Sequence, residues 1–373
     1  MTPAMQKTRP VPRRRLQQAV LPGSRSLAKV AAVSAVVAIA ASGCGAGPAG
    51  RASATPTFGP VPASSAPTAR VTGSLPKGVL ASIPVDSPMS VGVGLGSVWV
   101  GSHRGDWLYR VDPATNKVIA TIDIGMNACG PIVTAFGRVW VSGCDDDPET
   151  VAVSAKTNQV AGKFPSYSLP PGFGAGSVWI GNYLDGKLYR LNPKTLAVQA
   201  KIRVGQSAPC VVFAHGSVWV GDSFNGTVHR IDPATGKVIA TIPAGVAGAD
   251  GVMLMFAAGK LWVYSGFGVP PASDRGNKVW RIDPRGNTVM QEILPGLSHL
   301  SGGLSYGQPV TAIGSLWLRG TGTQVYRYQA RTLRLLHAYP ADQAAVGWTA
   351  IGFGSLWVGN MDTNTLWRDR LTG

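Results

Sequence analysis

Gly96-Ser97-Val98-Trp99-Val100-Gly101 decides how this 373-residue chain is read, because the same short stretch returns six more times. The copies are Gly137-Arg138-Val139-Trp140-Val141, Gly176-Ser177-Val178-Trp179-Ile180-Gly181, Gly216-Ser217-Val218-Trp219-Val220-Gly221, Gly259-Lys260-Leu261-Trp262-Val263, Gly314-Ser315-Leu316-Trp317-Leu318 and Gly354-Ser355-Leu356-Trp357-Val358-Gly359. Successive tryptophans are 41, 39, 40, 43, 55 and 40 residues apart. Self-similarity at a fixed period of about 40 residues marks a repeat architecture, in which one supersecondary unit is copied around or along an axis.

A second element follows each first one. Leu108-Tyr109-Arg110-Val111-Asp112-Pro113, Leu188-Tyr189-Arg190-Leu191-Asn192-Pro193, Val228-His229-Arg230-Ile231-Asp232-Pro233 and Val279-Trp280-Arg281-Ile282-Asp283-Pro284 are the clear copies; Val151-Ala152-Val153-Ser154, Val325-Tyr326-Arg327-Tyr328 and Leu366-Trp367-Arg368-Asp369 are weaker. Each unit reads as an apolar strand, a Gly turn, a Val-Trp-Val strand, a polar loop, a Tyr-Arg-Ile strand, an Asp-Pro turn and a fourth strand such as Val118-Ile119-Ala120-Thr121-Ile122. Gly supplies the positive φ of a tight hairpin, and Asp before Pro favours a type I turn closed by a side-chain bond to the backbone. Val-Trp-Val is apolar on both faces, as a strand sandwiched between neighbours must be.

Four strands per 40-residue unit, seven times, predicts an all-β seven-bladed β-propeller with four-stranded antiparallel blades over residues 77–373. The last unit has three strands before Gly373. Its fourth is expected from Gly78-Val79-Leu80-Ala81-Ser82-Ile83-Pro84-Val85, so that the N-terminal strand closes the ring and removes both open edges.

The motifs over residues 78–373 resemble those of the bacterial virginiamycin B lyase-like and YVTN-repeat propellers. That resemblance implies the fold. For the lyases it also implies a catalytic His at the entrance of an inner strand, an acidic residue just after a blade Trp, and Mg²⁺. The positions nine to eleven residues before each Trp hold no His, and three residues after each Trp stand Ser102, Gly143, Asn182, Asp222, Ser265, Gly320 and Asn360, of which one is acidic. General acid–base chemistry needs a titrating group with an orienting partner, and the five scattered His residues show no such pairing. The expected function is therefore a non-catalytic, surface-displayed propeller that binds a ligand or protein. A metal-dependent lyase or hydrolase using His103 or His299 with Asp222, and a structural subunit of a cell-envelope assembly, are the alternatives.

Before the repeats lies an address. Arg13, Arg14, Arg15, Arg25 and Lys29 precede an apolar run, Val30–Ala41, that is too short to span a bilayer, and Ala41-Ser42-Gly43-Cys44 follows. Residues 1–43 read as a secretory signal. Cys44 after Ser42-Gly43 resembles a lipobox and is the expected lipidation site, which implies palmitate-type acylation and anchoring to the outer face of the cell membrane; Ala41 stands where Leu is usual, and cleavage nearby with free secretion is the alternative. Residues 44–76 are mostly Ala, Ser, Thr, Pro and Gly, with two arginines and one Phe, a composition that buries too little apolar surface to fold and reads as a tether. Loss of residues 1–43 lowers the formal net charge from +16 to +9, with 27 basic against 18 acidic residues. No basic run with interleaved aromatics marks a nucleic-acid surface.

Cysteines and loops supply the remaining expectations. A hairpin turning on Phe136-Gly137 places Cys129 opposite Cys144, and export favours a disulfide between them; Cys129 with Cys210 across adjacent blades is the alternative. Loops between second and third strands share one end of a propeller with the links between blades. That end carries 11 of the 18 acidic residues and the insertions of the 55-residue repeat. Asp106, Asp145, Asn182, Tyr183, Asp222, Phe224, Tyr264, His299, Asn360 and Asp362 are the candidate ligand-binding residues, and ordinary turn chemistry is the competing account of them. No cofactor or metal centre is expected. Asp145-Asp146-Asp147 is the run nearest to a Ca²⁺ site, but consecutive carboxylates point in alternating directions. The arginines of the third strands (Arg110, Arg190, Arg230, Arg281, Arg327 and Arg368) suggest blade-to-blade ion pairs or solvated strand positions more than a ligand ring.

Overall fold

The computed structural model describes residues 75–143, 148–166, 168–244, 252–265, 278–293, 310–319, 325–339 and 347–372. The expected signal at 1–43, Cys44, nearly all of the tether, Cys144, Asp145 and His299 lie outside them, as does the side chain of Asp362. No helix among the described residues is long and apolar enough to cross a membrane.

The first strand is β1 (Val79–Pro84). Blade 1 follows as β2 (Pro88–Gly94), β3 (Ser97–Ser102), β4 (Trp107–Asp112) and β5 (Lys117–Asp123); blade 2 as β6 (Val133–Ala135), β7 (Arg138–Ser142), β8 (Glu149–Ser154) and β9 (Gln159–Pro165). Blade 3 is β10 (Gly172–Gly174), β11 (Ser177–Gly181), β12 (Lys187–Leu191) and β13 (Val198–Arg203), and blade 4 is β14 (Cys210–Ala214), β15 (Ser217–Asp222), β16 (Thr227–Ile231) and β17 (Val238–Pro243). Blade 5 has β18 (Val252–Ala257), β19 (Lys260–Ser265), β20 (Lys278–Asp283) and β21 (Thr288–Ile293), and blade 6 has β22 (Val310–Ala312), β23 (Ser315–Arg319), β24 (Val325–Gln329) and β25 (Leu335–Tyr339). Blade 7 is built from β26 (Thr349–Gly352), β27 (Ser355–Asn360) and β28 (Thr365–Arg370).

These strands form seven four-stranded antiparallel sheets, and the chain is a seven-bladed β-propeller. The seventh sheet has the order β1-β28-β27-β26, with Ile83 opposite Leu366 and Pro84 opposite Thr365. The N-terminal strand thus closes the ring, as the three-stranded last repeat predicts. The blade 2 hairpin turns on Phe136-Gly137, with Val133 opposite Trp140 and Ala135 opposite Arg138.

Each repeat Trp lies in the second strand of its blade and is fully buried. It packs against the apolar residues flanking the Trp of the next blade: Trp99 against Val139 and Val141, Trp179 against Val218 and Val220, and Trp357 against Val98 and Val100. The indole N–H is satisfied locally, donating to the carbonyl five residues earlier in blades 1–5 and 7, at 3.0–3.2 Å. The wedge between blades is thereby filled by an aromatic ring with no buried donor left open.

The third-strand arginines depart from the sequence expectation. They do join blades, but through carbonyls rather than ion pairs. Arg110, Arg190, Arg230, Arg327 and Arg368 each donate from Nε to the Ser two residues before their own blade's Trp. Their Nη1 groups reach the turn between the third and fourth strands of the next blade, or for Arg327 the Thr372 carbonyl just past the third strand of blade 7: Arg110 bonds Ala155 O at 3.0 Å, Arg230 bonds Pro284 O at 2.8 Å, and Arg368 closes the circle on Pro113 O at 2.6 Å. Each of these guanidinium groups also stacks on the Trp of its own blade, 5.0–5.4 Å from the ring. Blade 2 has Ala152 at the arginine position, and Arg138 makes the equivalent bond, to Pro193 O at 2.5 Å. Blade 5 has Lys260 in place of the Ser, and its Arg281 pairs instead with Glu292 of the same blade at 2.7 Å.

Candidate functional site

The loops between second and third strands and the links between blades share one end of the ring, called here the loop end; the remaining turns form the turn end. At the loop end, the last residue of each second strand has to find partners from whatever backbone its own loop offers. Blade 4 offers several. Asp222 is buried, and its carboxylate accepts the N–H groups of Gln206 (3.3 Å), Phe224 (3.1 Å) and Asn225 (3.3 Å) and the Asn225 amide (2.7 Å). His229 Nε2 lies 3.7 Å from Asp222 Oδ2, a pairing not evident in the sequence because the two are seven residues apart on different strands. Burial holds that imidazole below its usual value, and Thr227 and Thr241 occupy its two nitrogens. The pair is a buried cross-strand brace, neutral at His at pH 7.

Asn182, at the corresponding position of blade 3, caps its own loop by accepting the Leu184 N–H at 2.9 Å, and Asp185 engages Lys187 at 2.6 Å. Glu149 pairs with Lys163 at 2.9 Å. Tyr183 is half-buried, Asp106 and Phe224 are exposed, and Tyr264 is buried in blade 5 with its hydroxyl pushed well above its usual value by burial. For Asn182, Asp185 and Asp222, turn chemistry accounts for the polar atoms.

The hub of blades 7, 1 and 2 is different. Asn360 is fully buried, yet among the described residues neither its amide nitrogen nor its amide oxygen finds a hydrogen-bond partner. The same holds for the buried hydroxyls of Ser87, Ser90, Ser102 and Ser142. Backbone contacts bring these residues together. His103 N–H donates to Ser87 O, Ala128 N–H to Ser102 O, and Cys129 N–H to Ser142 O, all at 2.8–3.1 Å. Trp348 N–H donates to Met89 O at 2.6 Å and its indole N–H to Cys129 O at 2.7 Å, tying blade 7 to blades 1 and 2. Met89, Cys129, Trp348 and half-buried Met361 pack as one cluster beside them. At Gly359 a Cβ would come 2.4 Å from Pro88 O, so glycine is what lets blade 7 approach blade 1 this closely. Of the sequence candidates, Asn360 alone belongs to this hub. Ser90 and Trp348, both nine residues before a repeat Trp, are the residues that sequence reasoning passed over.

Cys129 is disulfide-bonded, while its expected partner Cys144 lies outside the described residues. Cys210 is a buried thiol, so the cross-blade bridge is not made. Its Sγ accepts the Leu254 N–H at 3.2 Å and donates to Leu254 O at 3.6 Å, which pins blade 4 to blade 5. Among the described residues no three of His, Cys, Asp and Glu converge as a metal-binding group would.

No known protein family and no curated protein matches the chain by sequence. Solved structures do match by fold. A streptogramin B lyase structure aligns with TM-score 0.59 at 16% identity, over 79% of this chain and 96% of that one. Virginiamycin B lyase from Staphylococcus aureus aligns with TM-score 0.61 at 13% identity, over 78% and 99%. Kuenenia stuttgartiensis hydrazine synthase aligns with TM-score 0.62 at 13% identity, over 80% and 99%. At these identities the likeness is one of fold: a propeller of the virginiamycin B lyase type.

Proposed function

We propose that this protein is a binding propeller, exported and held at the membrane through Cys44, which takes a small uncharged polar ligand at the loop-end hub of blades 7, 1 and 2. The observation that carries the reading is the set of buried, unpartnered groups of Asn360, Ser87, Ser90, Ser102 and Ser142. A buried donor or acceptor left without a partner costs about 1–3 kcal/mol, so such groups gather where water or a ligand completes them. Hydroxyls and one amide bordered by Trp348 suit a sugar or an uncharged peptide. The inner-strand entrance positions nine residues before the Trp of blades 1–5 and 7 hold Ser90, Pro131, Pro170, Cys210, Met253 and Trp348. The one titratable group among these is the buried Cys210 thiol, which is bonded to the Leu254 backbone, and this favours a binder over a lyase.

The test is the melting temperature of the full chain in detergent with N-acetylglucosamine oligomers or a neutral tripeptide. A ligand selective for the folded state at 100 times its Kd stabilises by about 2.7 kcal/mol. Ser90→Ala and Asn360→Leu should abolish that shift while leaving the unliganded melting temperature unchanged or higher. A rise seen with Mg²⁺ and none with sugars or peptide would instead favour the lyase reading. Anchoring is tested separately, by radiolabelled palmitate incorporation that Cys44→Ala abolishes.

A further inference from the structure

The turn end of the ring carries residues that its backbone does not favour. The turn between first and second strands is a two-residue hairpin with both central φ values positive, as at Leu95 (53°) and Gly96 (77°). Asn, Asp and Gly are the residues suited to the first of these positions, and a β-branched residue there is a steric outlier. The chain instead places Leu95, Phe136, Ile313 and Phe353 there, 41%, 48%, 63% and 43% exposed. These four belong to blades 1, 2, 6 and 7, whose inner strands are successive neighbours around the ring. Blades 3, 4 and 5 have Ala175, His215 and Ala258 at the same position. The result is a one-sided apolar arc around the hub of the turn end.

Outside the arc the same end is basic. The turn between third and fourth strands carries an exposed Lys117, Lys156, Lys194, Lys237, Arg285 or Arg331 in blades 1 to 6. The carboxylates of those turns are engaged locally. Asp112 and Asp232 accept the N–H groups of Ala114 and Ala234, each at 2.9 Å, and Asp283 pairs with Lys260. At the opposite end, the described loops carry Asp86, Asp106, Glu149, Asp185 and the buried Asp222. The chain also enters the propeller at the turn end: β1 begins at Val79 opposite Asp369, and Arg370 N–H donates to Gly78 O at 2.9 Å. That entry point is in blade 7, within the span of the arc, and 74 residues that include the apolar run Val30–Ala41 precede the described chain.

We propose that the turn end is a membrane-contact face, on which Leu95, Phe136, Ile313 and Phe353 enter an anionic bilayer surface while the surrounding lysines and arginines meet its headgroups. An apolar centre with a basic rim is complementary to anionic lipid. Entry of the N-terminal chain on the same side brings this face, not the acidic one, towards whatever holds the N-terminus. The loop-end hub then points away from the membrane.

Hydroxyl-radical footprinting of the full chain on vesicles reads this directly, because a lipid-anchored N-terminal segment would bring the chain to vesicles whichever face met them, and simple co-sedimentation does not report the face. On phosphatidylcholine vesicles containing one quarter phosphatidylglycerol, oxidation of Phe136, Ile313 and Phe353 should fall severalfold relative to pure phosphatidylcholine. Leu184 and Phe224, 68% and 62% exposed at the loop end, should be unchanged. The quadruple change to Asn at Leu95, Phe136, Ile313 and Phe353 suits the turn better and should raise the melting temperature, while relabelling no longer depends on phosphatidylglycerol at Lys117 or Lys237 tryptic peptides. Equal oxidation of the arc on both vesicles, or protection that appears without vesicles as protein concentration rises and so reports a second copy, overturns the proposal.

Discussion

Blades 4 and 7 share strand order and register, and they treat polar residues in opposite ways at two matching positions. In blade 4 the second strand ends on Asp222, whose carboxylate is surrounded by donors, and the residue after the clamping Arg230 is apolar Ile231, opposite Val218. In blade 7 the second strand ends on Asn360, whose amide has no partner, and the residue after Arg368 is Asp369, opposite Leu356. Asp369 is buried, both of its oxygens lack hydrogen bonds, and desolvation pushes its pKa up to about 7. The difference follows from local backbone. The blade 4 loop turns so that Phe224 and Asn225 N–H groups face Asp222, whereas the blade 7 loop is a 3-10 turn, Met361–Thr363, to which Asn360 makes no side-chain cap. A buried polar side chain is thus stabilising or costly according to the donors its loop presents.

That contrast is broken most strongly at Asp369. Its carboxyl binds a proton in the folded state at pH values where the unfolded chain has released it, so stability falls as pH rises from about 4 to about 7. The difference between 3.8 and about 7 corresponds to about 4 kcal/mol at pH 8. Asp369→Val, which restores the apolar residue found at this position in blade 1 as Val111, should therefore stabilise by several kcal/mol at pH 8. At pH 4 the part of the gain that comes from ionisation should be nearly gone, and urea titrations at the two pH values measure the difference. A gain equal at both would show that the carboxyl is solvated.

The reverse change in blade 4 comes next. Asp222→Ala removes a buried acceptor from three partly buried backbone N–H groups, at a cost of about 2 kcal/mol in chemical denaturation. Ring closure is a smaller effect. Arg368→Lys loses the three-way bonding to Ser355, Pro113 and Asn116 and the stack on Trp357, and should cost about 1–2 kcal/mol. The same exchange at Arg281, bonded within its own blade, should cost less. Smallest is Asn360→Leu. It removes an amide that nothing satisfies and should leave unliganded stability within about 1 kcal/mol of the parent, distinguishing a ligand-binding group from a structural one.

The order of strands, the number of blades and the closing role of Val79–Pro84 were legible in the sequence. Each depends on a local rule that recurs around the chain: Gly in a hairpin and an indole between two branched residues in all seven repeats, and Asp-Pro or Asn-Pro in the turn of four of them. Repetition turns a weak local preference into a global one. The loop-end acids were legible as residues and not as a site, because a carboxylate's role depends on which N–H groups come within hydrogen-bond reach of it, and that of Gln206 reaches Asp222 from another part of the chain. The arginine clamps were visible as a column and misassigned as ion pairs, since their partners are carbonyl oxygens, which every residue has and no sequence marks. Tertiary structure alone decided that Ser87, Ser90, Ser102, Ser142 and Asn360 share a hub with Trp348. Blade 7 meets blades 1 and 2 only when the ring closes, and residues more than 200 positions apart acquire a common environment by that closure and by no local rule.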